Sequence, residues 1–335
     1  MTVEQLAEGV LAGKRRHLAK AITLIESNRE QDQIKARDLL DKLQDNRETI
    51  RLGISGVPGV GKSTFIEALG NHLIEEGHRV AVLAVDPSSP SSGGSILGDK
   101  TRMETLSSRE EAFIRPSPTA GTLGGVARRT RESMLLCEAA GYDVVLVETV
   151  GVGQSEYEVA SMVDCFMVLM LPGAGDSLQG IKRGILEITD ILVVNKADGS
   201  QKQMAKLAIS EYKHAFQLLS PKYEGVEVQF RTASALRNEG IEEVWEGVST
   251  FVEALKQKQM LQAAHTSSYE AQEQVLQGLE QMSEELRNEL TERNATVDDL
   301  RAELAATRTH WEQSRRKLEA GVAKTVLRMQ NGRLA

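Results

Sequence analysis

GISGVPGVGKSTF, residues 53–65, places four glycines and a proline between an apolar run and a helical pattern. A chain that must bury a core rarely exposes so much bare backbone without a use for it. The spacing of Gly56, four residues, then Gly61-Lys62-Ser63 is that of a loop whose backbone N–H groups and following helix N-terminus wrap a polyphosphate. The context fits: IRLGIS (50–55) reads as the strand before the loop, and Lys62 to Glu76, closed by Gly77, as the helix after it. Gly56, Val57, Pro58, Gly59, Val60, Gly61, Lys62, Ser63 and Thr64 are therefore the candidate cradle. Lys62 is expected on the β and γ oxygens and the Ser63 hydroxyl on Mg²⁺.

Working outward, short apolar runs alternate with helical stretches from residue 50 on: IRLGIS, VAVLAVD, DVVLVE, CFMVLML, ILVVN and VEVQFRT. Runs apolar on both faces suit a parallel sheet covered by helices. GIEEVWEGVSTFVEAL after the last run reads as a helix. The expected class is α/β, with a mostly parallel central sheet flanked by helices at residues 49–255. Residues 1–48 show helical spacing in LAKAITLIES and ARDLLDKLQD and read as a preface of two amphipathic helices broken near Ser27 and Asn28. Residues 256–335, rich in Gln, Glu, Arg, Leu and Ala, read as a long helical arm. Thr296, with Asp299 three residues on, marks a helix start within it. Acidic residues dominate from Glu270 to Glu303 and basic ones after Arg308, a pattern that suits antiparallel pairing or two solvated helix faces.

The base is read elsewhere. In ILVVNKAD, Asn195-Lys196-x-Asp198 ends a strand. An aspartate in the base plane accepts two hydrogen bonds from guanine N1–H and N2–H₂, whereas adenine offers an acceptor and a C–H and leaves the carboxylate unpaired. Lys196 is expected to lie along the ring and Asn195 to tie this loop to the phosphate loop. Ser234 and Ala235, in TASAL after the last strand, complete the pocket through backbone N–H groups. Mg²⁺ takes hard oxygen ligands, and with Ser63 the candidates are Asp86 and Glu148 at strand ends and Asp99 in SSPSSGGSILGDKTRM. Gly151 is placed to sense the γ-phosphate and Gln154 to orient water. Residues 87–102 and 149–157 are candidate switch segments.

The 335 residues are 41% hydrophobic and 26% charged, with a formal charge of −8, so clustered phosphate neutralisation of nucleic acid or of a membrane surface is not expected. No apolar run approaches the ~20 residues of a membrane span, and no secretory signal is evident, so a cytoplasmic location is expected. Cys137 and Cys165 stand apart from any His and read as small apolar residues.

DPSSPSSGGSILGDKTRM, FIRPSPTAGTLGGVARRTRE, LCEAAGYDVVLVETVGVGQSE, MVDCFMVLMLPGAGDSLQGIKRGI and NKAD together resemble the MeaB/ArgK/MMAA family of GTPases over roughly residues 8–255. The resemblance implies a GTP-hydrolysing chaperone of an adenosylcobalamin-dependent acyl-CoA mutase, chiefly methylmalonyl-CoA mutase, which gates cofactor loading and protects the mutase. It implies GTP/GDP and Mg²⁺ as ligands, with Ser63, Asp86, Asp99 and Glu148 around the metal. It also implies a third switch in GAGDSLQGIKRG, where Asp176 and Lys182 are the coupling candidates, and a homodimer built partly from C-terminal helices. The basic, tryptophan-rich stretch such relatives would carry after the GTPase domain is not found from residue 256 on. The alternatives are a P-loop kinase or ATPase linked to amino-acid transport, and a GTPase with another partner.

Overall fold

The computed structural model describes residues 1–43, 48–86, 103–118, 123–149, 155–173, 183–257, 282 and 297–330. Seven strands form one sheet: β1 (Ile50–Gly56), β2 (Val80–Asp86), β3 (Ala112–Pro118), β4 (Val144–Thr149), β5 (Cys165–Met170), β6 (Ile191–Val194) and β7 (Gln229–Thr232). Their order is β3-β2-β4-β1-β5-β6-β7, and every pairing is parallel. Parallel neighbours need crossovers, and helices supply most of them: α4 (Lys62–Glu75), α5 (Glu104–Ser107), α6 (Leu123–Ala139), α7 (Ser155–Ala160), α8 (Arg183–Glu187), α9 (Lys202–Gln217) and, after the last strand, α10 (Ile241–Gln257). With both faces covered, the central strands need no polar alternation, so β5 and β6 are buried along their whole length.

Among the described residues the preface has three helices rather than two: α1 (Val3–Leu11), α2 (Arg15–Glu26) and α3 (Glu30–Asp41). The expected break at Ser27 is present, as the end of α2. A second break falls at Gly13, whose φ of +67° turns the chain left-handed, its N–H donating back to Val10 O at 2.8 Å. Leu6, Val10, Leu18, Ile22 and Leu39 from these helices share one core with Met134 of α6 and with Leu83, Val147, Val168 and Leu192 of the sheet. The preface is therefore packed into the same core as the sheet.

One strand escapes the apolar-run reading. β3, AFIRPSP, carries Arg115, Pro116 and Pro118, yet pairs with β2 from Ala112↔Val80 to Pro118↔Asp86. It is the edge strand, where proline's missing N–H removes no ladder bond. Arg115 reaches α2, donating to Glu26 and, at 3.3 Å, to the Thr23 hydroxyl.

Under the sheet's amino edge lies a buried ion pair. Arg51 Nε and Nη2 meet Glu138 Oε1 and Oε2 of α6 at 2.6 and 3.0 Å, while the Arg51 N–H donates to Asp164 Oδ2 at 2.7 Å. Both thiols are fully buried, and burial pushes that of Cys137 far above its ordinary range.

Contacts divide the chain into a unit of residues 1–221 with 225–255 and a second of 222–224 with 256–335. In the second, α11 (Val297–Gln330) is a helix whose charges pair along itself, Arg308 with Glu312 at 3.4 Å and Arg315 with Glu319 at 2.7 Å. Thr296 and the acidic stretch before it lie outside the described residues, as therefore does any pairing they make. Among the described residues no helix is long and apolar enough to cross a membrane.

Candidate nucleotide-binding site

All-parallel pairing brings the carboxyl ends of the strands to one edge, where α/β sheets place their ligands. β1 ends at Gly56 and α4 starts at Lys62, so the intervening loop lies on that edge. Val60, fully buried, anchors it, and its N–H donates to Val57 O at 3.2 Å. Gly61 precedes the helix at φ +93°, a conformation that a side chain would strain, and an added Cβ would lie 3.2 Å from Asn195 Nδ2. Lys62 Nζ donates to Gly56 O at 2.9 Å, which folds its stem over the loop. Burial pushes its ammonium pKa down, and Glu148 and Glu156 push it back up. The result is a caged positive charge in the loop's mouth. Ser63 and Thr64 stand on the first helical turn, the former half-buried and the latter exposed.

Asn195, directly after β6, is buried and works in two directions. Its Nδ2 donates to Val60 O at 2.9 Å, and its Oδ1 accepts the Ala235 N–H at 3.1 Å. One carboxamide thus ties the phosphate loop to the two loops after β6 and β7. Lys196, in the left-handed region at φ +58°, sends Nζ to Gly59 O at 2.8 Å, so its alkyl stem bridges the same loops. Ala197 N–H to Ala233 O at 3.0 Å closes the frame.

Asp198 is held from both sides. Its Oδ1 accepts the Ser234 hydroxyl at 2.8 Å and its Oδ2 accepts Arg237 Nε at 3.2 Å. The Ser234 hydroxyl, with help from Arg237, keeps its carboxyl below the usual carboxylate range although slight burial opposes this. An ionised carboxylate of fixed orientation takes two parallel N–H donors and rejects an acceptor. The expected backbone roles of Ser234 and Ala235 differ in the structure. The Ser234 N–H goes to Glu239 O at 2.8 Å and the Ala235 N–H to Asn195, so Ser234 contributes through its hydroxyl instead.

On the phosphate side, Glu148 lies in β4 opposite Ile54 of β1 and Ala84 of β2, half-buried and electrostatically felt by Lys62. Asp86 ends β2, which brings its backbone to the same edge; its side chain lies outside the described residues. Asp99, Gly151, Gln154, Asp176 and Lys182 also lie outside them.

Two residues of the site were not singled out from sequence. Glu156, buried in α7, acts on Lys62 from a position that the GQSE wording does not distinguish from its neighbours. Arg237, three residues after Ser234, reaches Asp198 only because residues 235–237 form a tight turn.

A sequence model of the family described as "Methylmalonyl Co-A mutase-associated GTPase MeaB" matches residues 18–295. The chain is 57% identical over 248 residues to a probable GTPase of Mycobacterium bovis, covering 74% of each. It is 51% identical over 274 residues to GTPase ArgK of Escherichia coli, covering 82% of this chain and 81% of that one. A solved structure described as an LAO/AO transport system kinase superposes with a TM-score of 0.68 at 39% identity, covering 96% of this chain and 97% of that one.

Proposed function

Because the chain belongs to the MeaB family of GTPases, described as associated with methylmalonyl-CoA mutase, we propose that it is a GTP-hydrolysing switch serving an adenosylcobalamin-dependent acyl-CoA mutase, where it gates cofactor loading and protects the mutase. The observation that carries the guanine reading is the Asp198 carboxylate, oriented by Ser234 and Arg237 on a loop that Asn195 locks to the phosphate cradle. In this reading N1–H and N2–H₂ of the base meet Asp198, Lys196 lies along the ring, and backbone amides of the loop before α4 hold the phosphates. Lys62 exchanges Gly56 O for phosphate oxygens.

The phosphate side suits Mg²⁺. Ser63, at the first turn of α4, and Glu148, at the end of β4, offer only hard oxygen atoms, the donor type this ion selects. Asp86 and Asp99 are the further candidates for its shell. When bound, the ion would neutralise phosphate charge; Lys62 adds a second positive charge, and Glu148 and Glu156 favour its ammonium form against the burial that disfavours it. Gln154 orients water, Gly151 senses the γ-phosphate, and Asp176 and Lys182 relay nucleotide state to the mutase. The active form is a homodimer that uses the helical arm, and it works in the cytoplasm.

The test is hydrolysis of GTP against ATP, with and without methylmalonyl-CoA mutase. GTP-selective turnover accelerated by the mutase is expected. GTP turnover indifferent to the mutase refutes the partner, and ATP preference refutes the base assignment at Asp198.

A further inference from the structure

Asp198 has more donors than a guanine-reading carboxylate requires. An ionised carboxylate offers about four lone-pair sites. The Ser234 hydroxyl takes one on Oδ1 at 2.8 Å, and Arg237 Nε takes one on Oδ2 at 3.2 Å. The backbone N–H of Asp198 itself also acts on the carboxylate, and the guanine edge brings two adjacent N–H donors to the capacity that remains. Without Arg237, the carboxylate would keep a single side-chain tether, Ser234, beside its own backbone N–H, about a torsion that is broad and weakly stepped. With both, its plane is set before the base arrives.

The backbone at Arg237 is held independently of this contact. Its N–H donates to Ser234 O at 3.0 Å, the next residue, Asn238, turns left-handed at φ +52°, and Ser234 and Glu239 bridge across the turn. The guanidinium is 61% exposed at its side chain and Asp198 27%, so the pair is open to solvent and to an incoming base.

We propose that Arg237 is a positioning residue for base selection. It acts through Asp198, fixing the carboxylate so that both oxygens face a purine that carries two adjacent donors. The proposal rests on the guanine reading above and extends it to a residue outside the recognised motifs. It predicts a specific asymmetry. Guanine uses both oxygens and depends on the fixed plane, whereas hypoxanthine, which lacks the exocyclic amine, uses one and tolerates a rotated carboxylate.

The experiment measures dissociation constants of GDP, IDP and ADP for the full chain, for Arg237→Gln and for Arg237→Lys, with melting temperatures alongside. For Arg237→Gln we expect GDP to weaken about threefold to tenfold, the scale of one partly screened hydrogen bond between charged groups, and IDP to change less, so that the GDP/IDP preference shrinks at unchanged melting temperature. Arg237→Lys, which keeps the charge but loses the planar donor, is expected to recover only part of that preference. An unchanged GDP/IDP ratio in Arg237→Gln overturns the proposal. Tighter GDP binding in that variant overturns it too, since Arg237 would then be occupying acceptors the base needs. The unsubstituted chain reads the premise separately: no preference for GDP over ADP refutes guanine recognition itself.

Discussion

Replacing Asn195 with alanine removes a single carboxamide and strands two backbone groups, the Val60 carbonyl and the Ala235 N–H, that it serves at 2.9 and 3.1 Å. Asn195 is 1% exposed, so water cannot readily replace it. A buried backbone group left unsatisfied costs about 1–3 kcal/mol, so the pair amounts to roughly 2–6 kcal/mol. At about 2–4 °C per kcal/mol for a unit of this size, the melting temperature should fall by roughly 4–24 °C. The affinity loss should be smaller than that sum, because both bonds exist before nucleotide arrives. If half of the cost reappears when the nucleotide must order the three loops itself, GDP weakens roughly 5-fold to 150-fold. Differential scanning fluorimetry and titration with a fluorescent GDP analogue read the two quantities. Asn195→Asp is the informative control: it keeps the acceptor for Ala235 but sets an oxygen against Val60 O, so it should fall near alanine. An Asn195→Ala protein that melts like the parent and binds GDP equally well refutes the claim that this side chain couples the loops.

Three further perturbations test other parts of the site and frame. Gly61→Ala forces a side chain into φ +93° and to 3.2 Å from Asn195 Nδ2; at about 1–3 kcal/mol of strain, nucleotide affinity measured by calorimetry should drop roughly fivefold or more. Glu138→Ala leaves the Arg51 guanidinium buried without its carboxylate and should cost about 3–5 kcal/mol in urea unfolding, whereas Arg51→Met with Glu138→Leu should recover most of it. Burial pushes the Tyr212 phenol up to about 12 from an unfolded value of about 10, so the stability it contributes is present below pH ~10 and is lost as pH rises toward 12. Tyr212→Phe should flatten that alkaline loss in denaturant midpoints measured across the window.

The parts of the fold legible in the sequence were those with a short, local signature. The loop at 56–63 announces its strand and helix because glycine spacing, lysine and hydroxyl must all fall within one turn of chain. Asn195 to Asp198 is legible for the same reason. β3 was hidden because Pro116 and Pro118 argue against a strand unless its place at the sheet edge is known, and that place depends on β2. The split between α1 and α2 was hidden because apolar spacing continues across Gly13. Arg237 and Glu138 were hidden for a third reason. Each acts on a partner far away in sequence, Asp198 across 39 residues and Arg51 across 87, and no periodicity encodes such a meeting.

β1 lies between β4 and β5, and its partners are residues 144–148 and 165–169. Leu52, for instance, pairs with Leu146 on one side and Cys165 on the other. A ribosome adding about 5–20 residues per second therefore leaves this strand without its flanking neighbours for roughly 5–20 s after it is made. During that interval Leu52 and Ile54, fully buried in the finished sheet, are presented to whatever binds nascent apolar chain. The phosphate loop hangs from the end of the same strand, so the cradle gains its shape late, although its residues precede those of β4, β5 and β6.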